Sequence, residues 1–437
     1  NIESTRAAYG LDKVEIKEYE ATTRTSAGQL AKDVDSISNI RLMDPNVLSA
    51  TFRQLQQIKP YYTFNESLDI DRYVIDGKLR DMVVAIRELN IDGNPNRNWI
   101  NDHLVYTHGF GLVGAYGNTQ DVDGKPVFTM GDIPPKGILG DFEPRIYFGE
   151  NNPEYSIIGG AKGSDPIEFD YPDDASPNGQ KNYTYTGKGG VPMGSLFSRL
   201  LFAIHYQEQR ILLSNLINSE SKIIFNRVPR ERVAKVAPWL KIDGDPYPAI
   251  VDGRVLWMID GYTTSAGYPY SRTVDVSGAT TDALNINNNP LTAVPNSKIN
   301  YIRNSVKATV DAYDGTVTLY AWDEKDPLLQ TWMKAFPGVV KARSQMSEGL
   351  VSHVRYPEDI FRVQRDVLSL YHVKNANAFY GGQDFWRVPR DPSTLGANAG
   401  AQPPYFYTLK LPGEEKAAFS LTTPFVPRGG RENLSAF

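Results

Sequence analysis

Pairs of acidic residues two positions apart are the most frequent chemistry-bearing pattern in this sequence. They occur as Asp69/Asp71 in SLDIDRY, Asp121/Asp123 in DVDGK and Asp243/Asp245 in KIDGDPY. D-x-D spacing places two carboxylates on one side of an extended chain or turn, which suits Ca²⁺. None of the three continues into a complete EF-hand loop, and turns attract Asp and Gly anyway. No cofactor is therefore predicted outright, and Ca²⁺ at Asp243 and Asp245 is the metal site that the pattern allows.

A further acid follows an apolar run in AIVDGRVLWMIDGYTTSAGYPYS, residues 249–271. Val255–Ile259 shows no polar alternation, which predicts a central strand buried on both faces. Asp260 is expected where this strand emerges, either holding backbone N–H groups of the following loop or contacting a ligand. The polar rim from Asp260 to Ser271 is the first place to expect a ligand, and its candidate ligand-binding residues are Asp260, Tyr262, Tyr268 and Tyr270.

Two of the five histidines lie in NDHLVYTHGFG. On a strand, His103 and His108 would face opposite sides and would not hold one ion together. Both are candidate ligand-binding residues, and a structural, hydrogen-bonded role is the alternative for each. The sequence contains no serine-hydrolase elbow, phosphate-binding loop, dinucleotide fingerprint or H-E-x-x-H motif. We assign no catalytic residue, although paired carboxylates across a cleft could support hydrolase or transferase chemistry.

Composition excludes several classes of function. The 437-residue chain has no cysteine, which rules out disulfides, thiolate metal sites and cysteine nucleophiles. Its formal charge of −5 argues against a nucleic-acid partner, which would require a basic face. No apolar run approaches the roughly 20 residues of a membrane-spanning helix. The opening NIESTRAAYG is not a signal peptide, and the absence of an initial Met suggests a piece of something longer.

The elements that must position these residues follow from turn chemistry and apolar spacing. Asp-Gly turns predict hairpins at 73–86, 249–259 and 307–322, and Pro412-Gly413 predicts another between Tyr405–Leu411 and Ala417–Leu421. Gly-, Pro- and Asn-rich stretches predict loops at 91–98, 117–140 and 161–190. Apolar spacing predicts helices at 46–58, Ser195–Ile217, Arg230–Leu240, Asp326–Phe336 and Pro357–Tyr371.

These elements predict an α+β fold, with antiparallel sheets built from hairpins and helices packed around them. The distribution of elements leaves room for two lobes. Residues 1–190 would form a β-rich N-terminal lobe with long loops, and residues 191–437 a C-terminal lobe with helices and hairpins.

Long stretches of the chain resemble one known family. They include NIESTRAAYGLD, NIRLMDPNVLSATFRQLQQ, WINDHLVYTHGFG, GGVPMGSLFSRLLFA, DPYPAIVDGRVLWMIDGYTTSAGYPYS, RYPEDIFRVQ and TPFVPRGGRENLSAF. Together they resemble uncharacterised protein family 0182, large bacterial membrane proteins found notably in actinobacteria. The resemblance implies that this chain is the extracytoplasmic domain of a multi-pass protein of the cell membrane. Its N-terminal membrane spans would precede this chain, and a further segment would follow Asn433-Leu434-Ser435.

The resemblance brings no established activity, substrate or catalytic residue. We expect a binding domain rather than an enzyme, acting in envelope assembly or transport. Its partners would be its own membrane spans and an envelope glycan, lipid or protein. The alternative is an envelope hydrolase or transferase that uses paired carboxylates.

Overall fold

The computed structural model describes residues 1–18, 42–279, 298–392, 400–410, 414 and 417–437. Antiparallel sheets and packed helices make up this part of the chain, so the predicted α+β class is confirmed. Apolar side chains of the two largest sheets share one hydrophobic core with the helix Pro229–Val236. The division into lobes at residue 190 stays a prediction.

The first sheet has five antiparallel strands, in the order Asp69–Ile75, Lys78–Ile86, Leu112–Gln120, Pro126–Gly131 and Lys136–Gly137. Asp76 and Gly77 join its first two strands with φ values of 51° and 73°, which confirms the predicted Asp-Gly hairpin. The predicted loop at 117–140 is wrong in part, because it contains parts or all of three strands. Gly117, Asn118, Gly131 and Gly137 lie within these strands, whose pairing contains bulges, so composition alone resembles a loop.

The central sheet has six strands arranged around Arg254–Ser265. This strand pairs antiparallel with Lys241–Ile242 and Tyr247–Val251 on one side and with Tyr301–Asp311 on the other. Val317–Ala321 and then Val340–Lys341 extend the sheet, the last pair being parallel. The hairpins at Asp252-Gly253 and Asp314-Gly315 are confirmed.

Arg254–Ser265 confirms one prediction and corrects another. Val255, Trp257 and Ile259 are almost fully buried in the core, as predicted for a central strand. The expectation that the chain emerges into a loop at Asp260 is wrong, because the strand runs on to Ser265. An acid can lie inside this strand because Lys307, its partner on the neighbouring strand, supplies the opposite charge.

Shorter strands complete the sheets. The pairs are Tyr62–Thr63 with Glu88–Leu89, Gly109–Phe110 with Arg145–Ile146, Glu168–Pro172 with Gln180–Tyr183, Val274–Asp275 with Lys298–Ile299, Trp386–Arg387 with Val426–Pro427, and Tyr405–Leu409 with Ala418–Thr422. Lys222–Phe225 pairs with both Tyr155–Ile158 and Val191–Pro192. The last predicted hairpin is confirmed in its strands, and its turn at Pro412-Gly413 lies outside the described residues. The predicted loop at 161–190 is wrong in part, since it holds a strand pair.

The described α-helices are Ile2–Ala8, Pro45–Gln56, Leu196–His205, Arg210–Leu213, Pro229–Val236, Val276–Ala279, Pro327–Ala335, Glu348–Ser352, Glu358–Tyr371 and Ala376–Tyr380. Single 3₁₀ turns lie at Ile91–Gly93 and Arg343–Gln345. The helix predicted over Ser195–Ile217 is wrong in its length, because it ends at His205, before Gln207 with its φ of 51°, and Arg210–Leu213 forms a separate helix. Among the described helices, none is long and apolar enough to cross a membrane.

Candidate functional site

A cleft with a cavity volume of about 70 Å³ opens where the first sheet, the Gly244-Asp245 loop and the helix Glu358–Tyr371 meet. Prolines and aromatic rings of the segment before and within Tyr405–Leu409 form one wall. That wall is fixed to the first sheet, since the backbone N–H of Thr408 donates to the Asp81 carboxylate at 2.9 Å. The charged lining residues are Asp69, Asp245, Arg355, Glu358, Asp359 and Arg362.

The two acids of KIDGDPY have different environments. The backbone N–H of Asp245 donates to Oδ1 of Asp243 at 2.8 Å, so the chain turns between them. This turn keeps Asp243 buried and places Asp245 on the cleft surface. Oδ2 of Asp243 accepts hydrogen bonds from the Tyr262 hydroxyl and from the backbone N–H of Asp359. Asp243 is therefore saturated by protein donors, while Asp245 can contact a ligand.

The first turn of the helix Glu358–Tyr371 supplies two more carboxyl groups. Oδ2 of Asp359 accepts the backbone N–H of Gly244 at 2.8 Å, which joins the helix to the Asp243–Asp245 turn. Arg362, one turn further along, donates to Glu358 Oε2 at 2.6 Å and to Asp359 Oδ1 at 3.4 Å. Acids in a first helical turn are stabilised by the backbone N–H groups and dipole there.

Arg355 links the acids of the two sheets. Its Nη2 donates to Asp245 Oδ2 at 2.5 Å and lies 3.7 Å from Asp69 Oδ1. Its Nη1 donates to the backbone oxygen of Ile70 at 3.1 Å. The guanidinium also stacks 3.7 Å from the centre of the Tyr247 ring. This buried cation thus holds Asp69 and Asp245 close together.

Burial leaves several of these carboxyl groups easier to protonate than usual. It raises the pKa of Asp245 to about 7. Burial, with the neighbouring Asp243 charge, raises the pKa of Asp359 to about 8. The pKa of Asp69 is also well above its ordinary value, because of burial and the Asp245 charge. At neutral pH the cleft therefore combines carboxyl groups that hold protons with carboxylates and guanidinium groups.

Asp260 lies beneath this cleft and does not line it. Its carboxylate pairs with Lys307, and Asn304 Nδ2 donates to it at 2.8 Å. Lys307 in turn donates to the backbone oxygen of Arg355 at 2.8 Å. Burial raises the pKa of Asp260 and lowers that of Lys307, and the attraction between the two side chains opposes both shifts. The pair supports Arg355 from below.

The three candidate tyrosines are dispersed. Tyr262 is buried against Asp243, as described above. Tyr268 stacks on Tyr301 with ring centres 5.4 Å apart. Tyr270 is 82% exposed. None of the three is among the cleft-lining residues, and their ligand-binding role stays a prediction.

The two candidate histidines lie elsewhere in the fold. His103 belongs to a π-helix, Asn101–Val105, and its ring stacks on Tyr155 with centres 4.0 Å apart. The strand geometry expected for it is therefore wrong. His108 is buried, and burial lowers its pKa to about 3. Neither lines the cleft. Of the sequence candidates, the structure brings together Asp243, Asp245, Asp260 and Tyr262, and it separates the histidines from them.

Metal binding finds little support in the described residues. No three His, Cys, Asp or Glu side chains in that part of the chain are arranged to hold a metal ion. Asp243 already accepts three hydrogen bonds, which compete with any cation. Calcium at Asp243 and Asp245 remains an untested prediction.

Sequence reasoning missed most of the charged lining, namely Arg355, Glu358, Asp359 and Arg362. The segment RYPEDIFR contained a usable signal. Pro357 marks the helix start, acids follow in the first turn, and Arg362 stands four residues after Glu358, which suits an ion pair on one helix face. Nothing in the sequence indicated that this turn would meet the KIDGDPY loop.

Comparison with known proteins identifies the family. The sequence profile of the Uncharacterised protein family (UPF0182) matches residues 1–437. The chain belongs to this family. It is 51% identical over 433 residues to a UPF0182 protein of Paenarthrobacter aurescens (strain TC1), covering 98% of this chain and 43% of that protein.

Two further relatives carry the same family name. A UPF0182 protein of Bifidobacterium adolescentis is 50% identical over 445 residues, covering 100% of this chain and 41% of the relative. One of Streptomyces coelicolor is 48% identical over 439 residues, covering 100% of this chain and 43% of the relative. The chain thus spans less than half the length of these relatives. No solved structure matches it. UPF0182 is uncharacterised, so its name assigns no activity.

Proposed function

We propose that this chain is an extracytoplasmic ligand-binding domain of a membrane protein, and that its cleft binds a polyhydroxylated component of the bacterial envelope, that is, a glycan. The observation that carries the proposal is the convergence of Asp69, Asp245 and Arg355 with the first turn of the helix Glu358–Tyr371 in one cleft. Its role would be capture of that component during envelope assembly or transport.

The chemistry of the cleft suits sugar hydroxyls. Each hydroxyl both donates and accepts hydrogen bonds, so it can pair with a carboxylate on one side and a guanidinium on the other. Protonated Asp245 and Asp359 would add donors at neutral pH. Tyr405, which is half-buried in the same wall, offers apolar surface to the C–H face of a sugar ring.

Binding can be measured with a panel of neutral, amino and uronic-acid oligosaccharides, first on an array and then by calorimetry. We expect a hit whose affinity falls at least tenfold in Asp245→Asn and in Asp69→Asn. Asp123→Asn is the matched control, because Asp123 belongs to another D-x-D pair on an exposed turn. No hit on the panel, or equal losses in all three variants, would contradict glycan binding in the cleft.

A second function, acid–base catalysis, is favoured by one observation. Burial places the pKa values of Asp245 and Asp359 at about 7 and 8, close to the working pH of a general acid or base. Both residues line the same cleft. A hydrolase or transferase would use one such carboxyl group to protonate a leaving oxygen and a neighbouring carboxylate as base or nucleophile.

The two functions separate experimentally. If the chain is a catalyst, an oligosaccharide bound by the wild type is cleaved or transferred over hours, as mass spectrometry would show. At a saturating oligosaccharide concentration, Asp245→Asn would then leave the substrate intact. If the wild type binds the oligosaccharide without cleaving or transferring it, catalysis is ruled out and only the binding function remains.

Location has its own test. We expect an introduced cysteine at Val74, an exposed position on the first sheet, to react with a membrane-impermeant maleimide in intact cells that express the longer protein. This chain has no cysteine, so the protein without the introduced cysteine shows how much maleimide labelling occurs in this region without a thiol as a target. Labelling only after cell lysis would place the domain inside the cell and rule out an extracytoplasmic role.

A further inference from the structure

The helix Leu196–His205 carries a row of large apolar side chains that the protein leaves in water. Leu196 is 73% exposed, Phe197 69%, Leu201 51% and Ile204 65%. Leu213 on the following short helix is 69% exposed. Soluble proteins rarely leave such a contiguous apolar surface without a binding role. We call these five residues the apolar ridge.

The apolar ridge is held on the body of the protein by other side chains. Arg199 donates from Nε to the backbone oxygen of Met193 at 3.0 Å and from Nη2 to that of Ile217 at 2.7 Å. Phe202 and Tyr206 pack against the core cluster beneath the helix. The ridge residues are therefore not needed to attach the helix, and some other contact accounts for their apolar character.

We propose that the apolar ridge inserts into the surface of a lipid bilayer. Leu, Ile and Phe on one face of a helix are typical of helices that lie in the membrane interface, with the apolar face buried about 5–10 Å. Protein interfaces instead rely on Trp, Tyr and Arg, and Leu is under-represented at their energetic centres. The composition of the ridge thus fits lipid better than a protein partner.

Charge supports the same occupant. The chain has a net charge of −5, yet it contains no acidic residue between Lys188 and Glu208, the segment that holds this helix. A locally acid-free segment with Lys188 and Arg199 avoids repulsion by lipid phosphates.

Vesicle flotation of the 437-residue chain tests the proposal, with vesicles of phosphatidylcholine alone or mixed with phosphatidylglycerol. We expect the wild type to float with both and more strongly with the anionic mixture. A variant that combines L196Q, F197Q, L201Q and I204Q should lose at least tenfold in vesicle partition. The matched control replaces Val74, Val122 and Tyr380 by Gln, three exposed apolar residues elsewhere, and should float like the wild type.

A fluorescent probe reports insertion directly. Because the chain lacks cysteine, Leu201→Cys can be labelled at a single site with an environment-sensitive dye. Its emission should shift to the blue and be quenched by brominated lipids, whereas a dye at Val74→Cys should not change. Equal flotation of the quadruple variant, or a ridge-dependent dimer in light scattering without vesicle binding, would overturn the proposal.

The membrane proposal can be tested independently of the proposed glycan binding in the cleft. The ridge and the charged lining of the cleft share no residue. Ridge variants should therefore keep the oligosaccharide affinity of the wild type, and Asp245→Asn should keep its vesicle partition. Failure of one proposal leaves the other standing.

Discussion

Asp359 lies at the inner wall of the cleft with its carboxyl group almost fully removed from water. Burial raises its pKa to about 8, so the folded protein holds a proton that the unfolded chain releases near pH 4. The stability that this proton contributes is present in full below that pH and is lost as the pH rises through 8. The site therefore loses stability progressively as the pH rises from about 4 to about 8.

Asp359→Asn should reduce this pH dependence, because an amide has no proton to lose. Between pH 5 and pH 9, the unfolding free energy of the variant should fall by about 1–3 kcal/mol less than that of the wild type. Urea denaturation at several pH values measures the difference. Asp123→Asn, on an exposed turn, should follow the wild-type curve. Parallel curves for all three proteins would show that Asp359 is ionised at neutral pH.

The buried pair of Asp260 and Lys307 depends on both of its members. Lys307→Met leaves the Asp260 charge buried with Asn304 as its remaining side-chain partner, and should cost about 3–5 kcal/mol of stability. Adding Asp260→Leu to this variant should restore part of the loss, because no charge is then left in the core. Denaturant unfolding of the two single variants and the double variant gives the coupling energy. Additive losses would mean that the two charges do not interact.

At the scale of single elements, local sequence rules worked where local forces decide the structure. Asp44 and Asp326 each precede a proline in the first helical turn, and their side chains accept the first backbone N–H groups of both helices. Asp-Gly turns located three hairpins. The loop at 117–140 was mispredicted because strand pairing there is set by tertiary contacts that composition does not record.

Asp326 also shows how one element is joined to another. Its carboxylate accepts hydrogen bonds from Thr263 at 2.7 Å and Tyr301 at 2.6 Å, both on central strands. Although burial opposes it, these bonds lower the pKa of Asp326. The stability it contributes is thus present above its unfolded pKa and lost as the pH falls through the lower folded value.

Asp326→Ala should cost about 2–4 kcal/mol, because it removes the cap of Pro327–Ala335 and leaves buried hydroxyl groups without their acceptor. Thermal unfolding at pH 7 measures the loss, and the gap to the wild type should narrow in acid. Asp323→Ala, three residues earlier and more exposed, is the control and should stay within about 0.5 kcal/mol. A similar loss in both variants would mean that the cap itself is unimportant.

At the scale of the whole molecule, the cleft could not be predicted because its residues come from distant parts of the chain. Asp69, Asp245 and Asp359 are separated by more than a hundred residues each, and no periodicity links them. The D-x-D pattern singled out Asp243 and Asp245 as a pair, but only Asp245 lines the cleft, because Asp243 is buried and accepts the Tyr262 hydroxyl. The spacing of residues along the sequence shows which functional groups are present. The packing of the sheets determines which of these groups lie close together.

Tyr9, in the N-terminal segment, contacts residues from distant parts of the chain. The hydroxyl of Tyr9 donates to the backbone oxygens of Arg272 at 2.8 Å and Ile299 at 2.9 Å. Its backbone oxygen accepts from Gln364 Nε2 at 2.9 Å. Tyr9 also packs in one core cluster with Val363 of the helix Glu358–Tyr371. The same helix carries the cleft acids in its first turn.

Tyr9→Ala should therefore weaken the cleft from a distance. We expect a loss of about 3–5 kcal/mol of stability, as for other buried aromatic residues. Hydrogen exchange should rise along Glu358–Tyr371 and remain low in Lys78–Ile86 of the first sheet, which belongs to other core clusters. Tyr380→Ala, at a position that is 95% exposed, is the matched control and should change neither. Uniform loss of protection across both elements would show that the molecule unfolds as one unit, with no selective link from the N-terminus to the cleft.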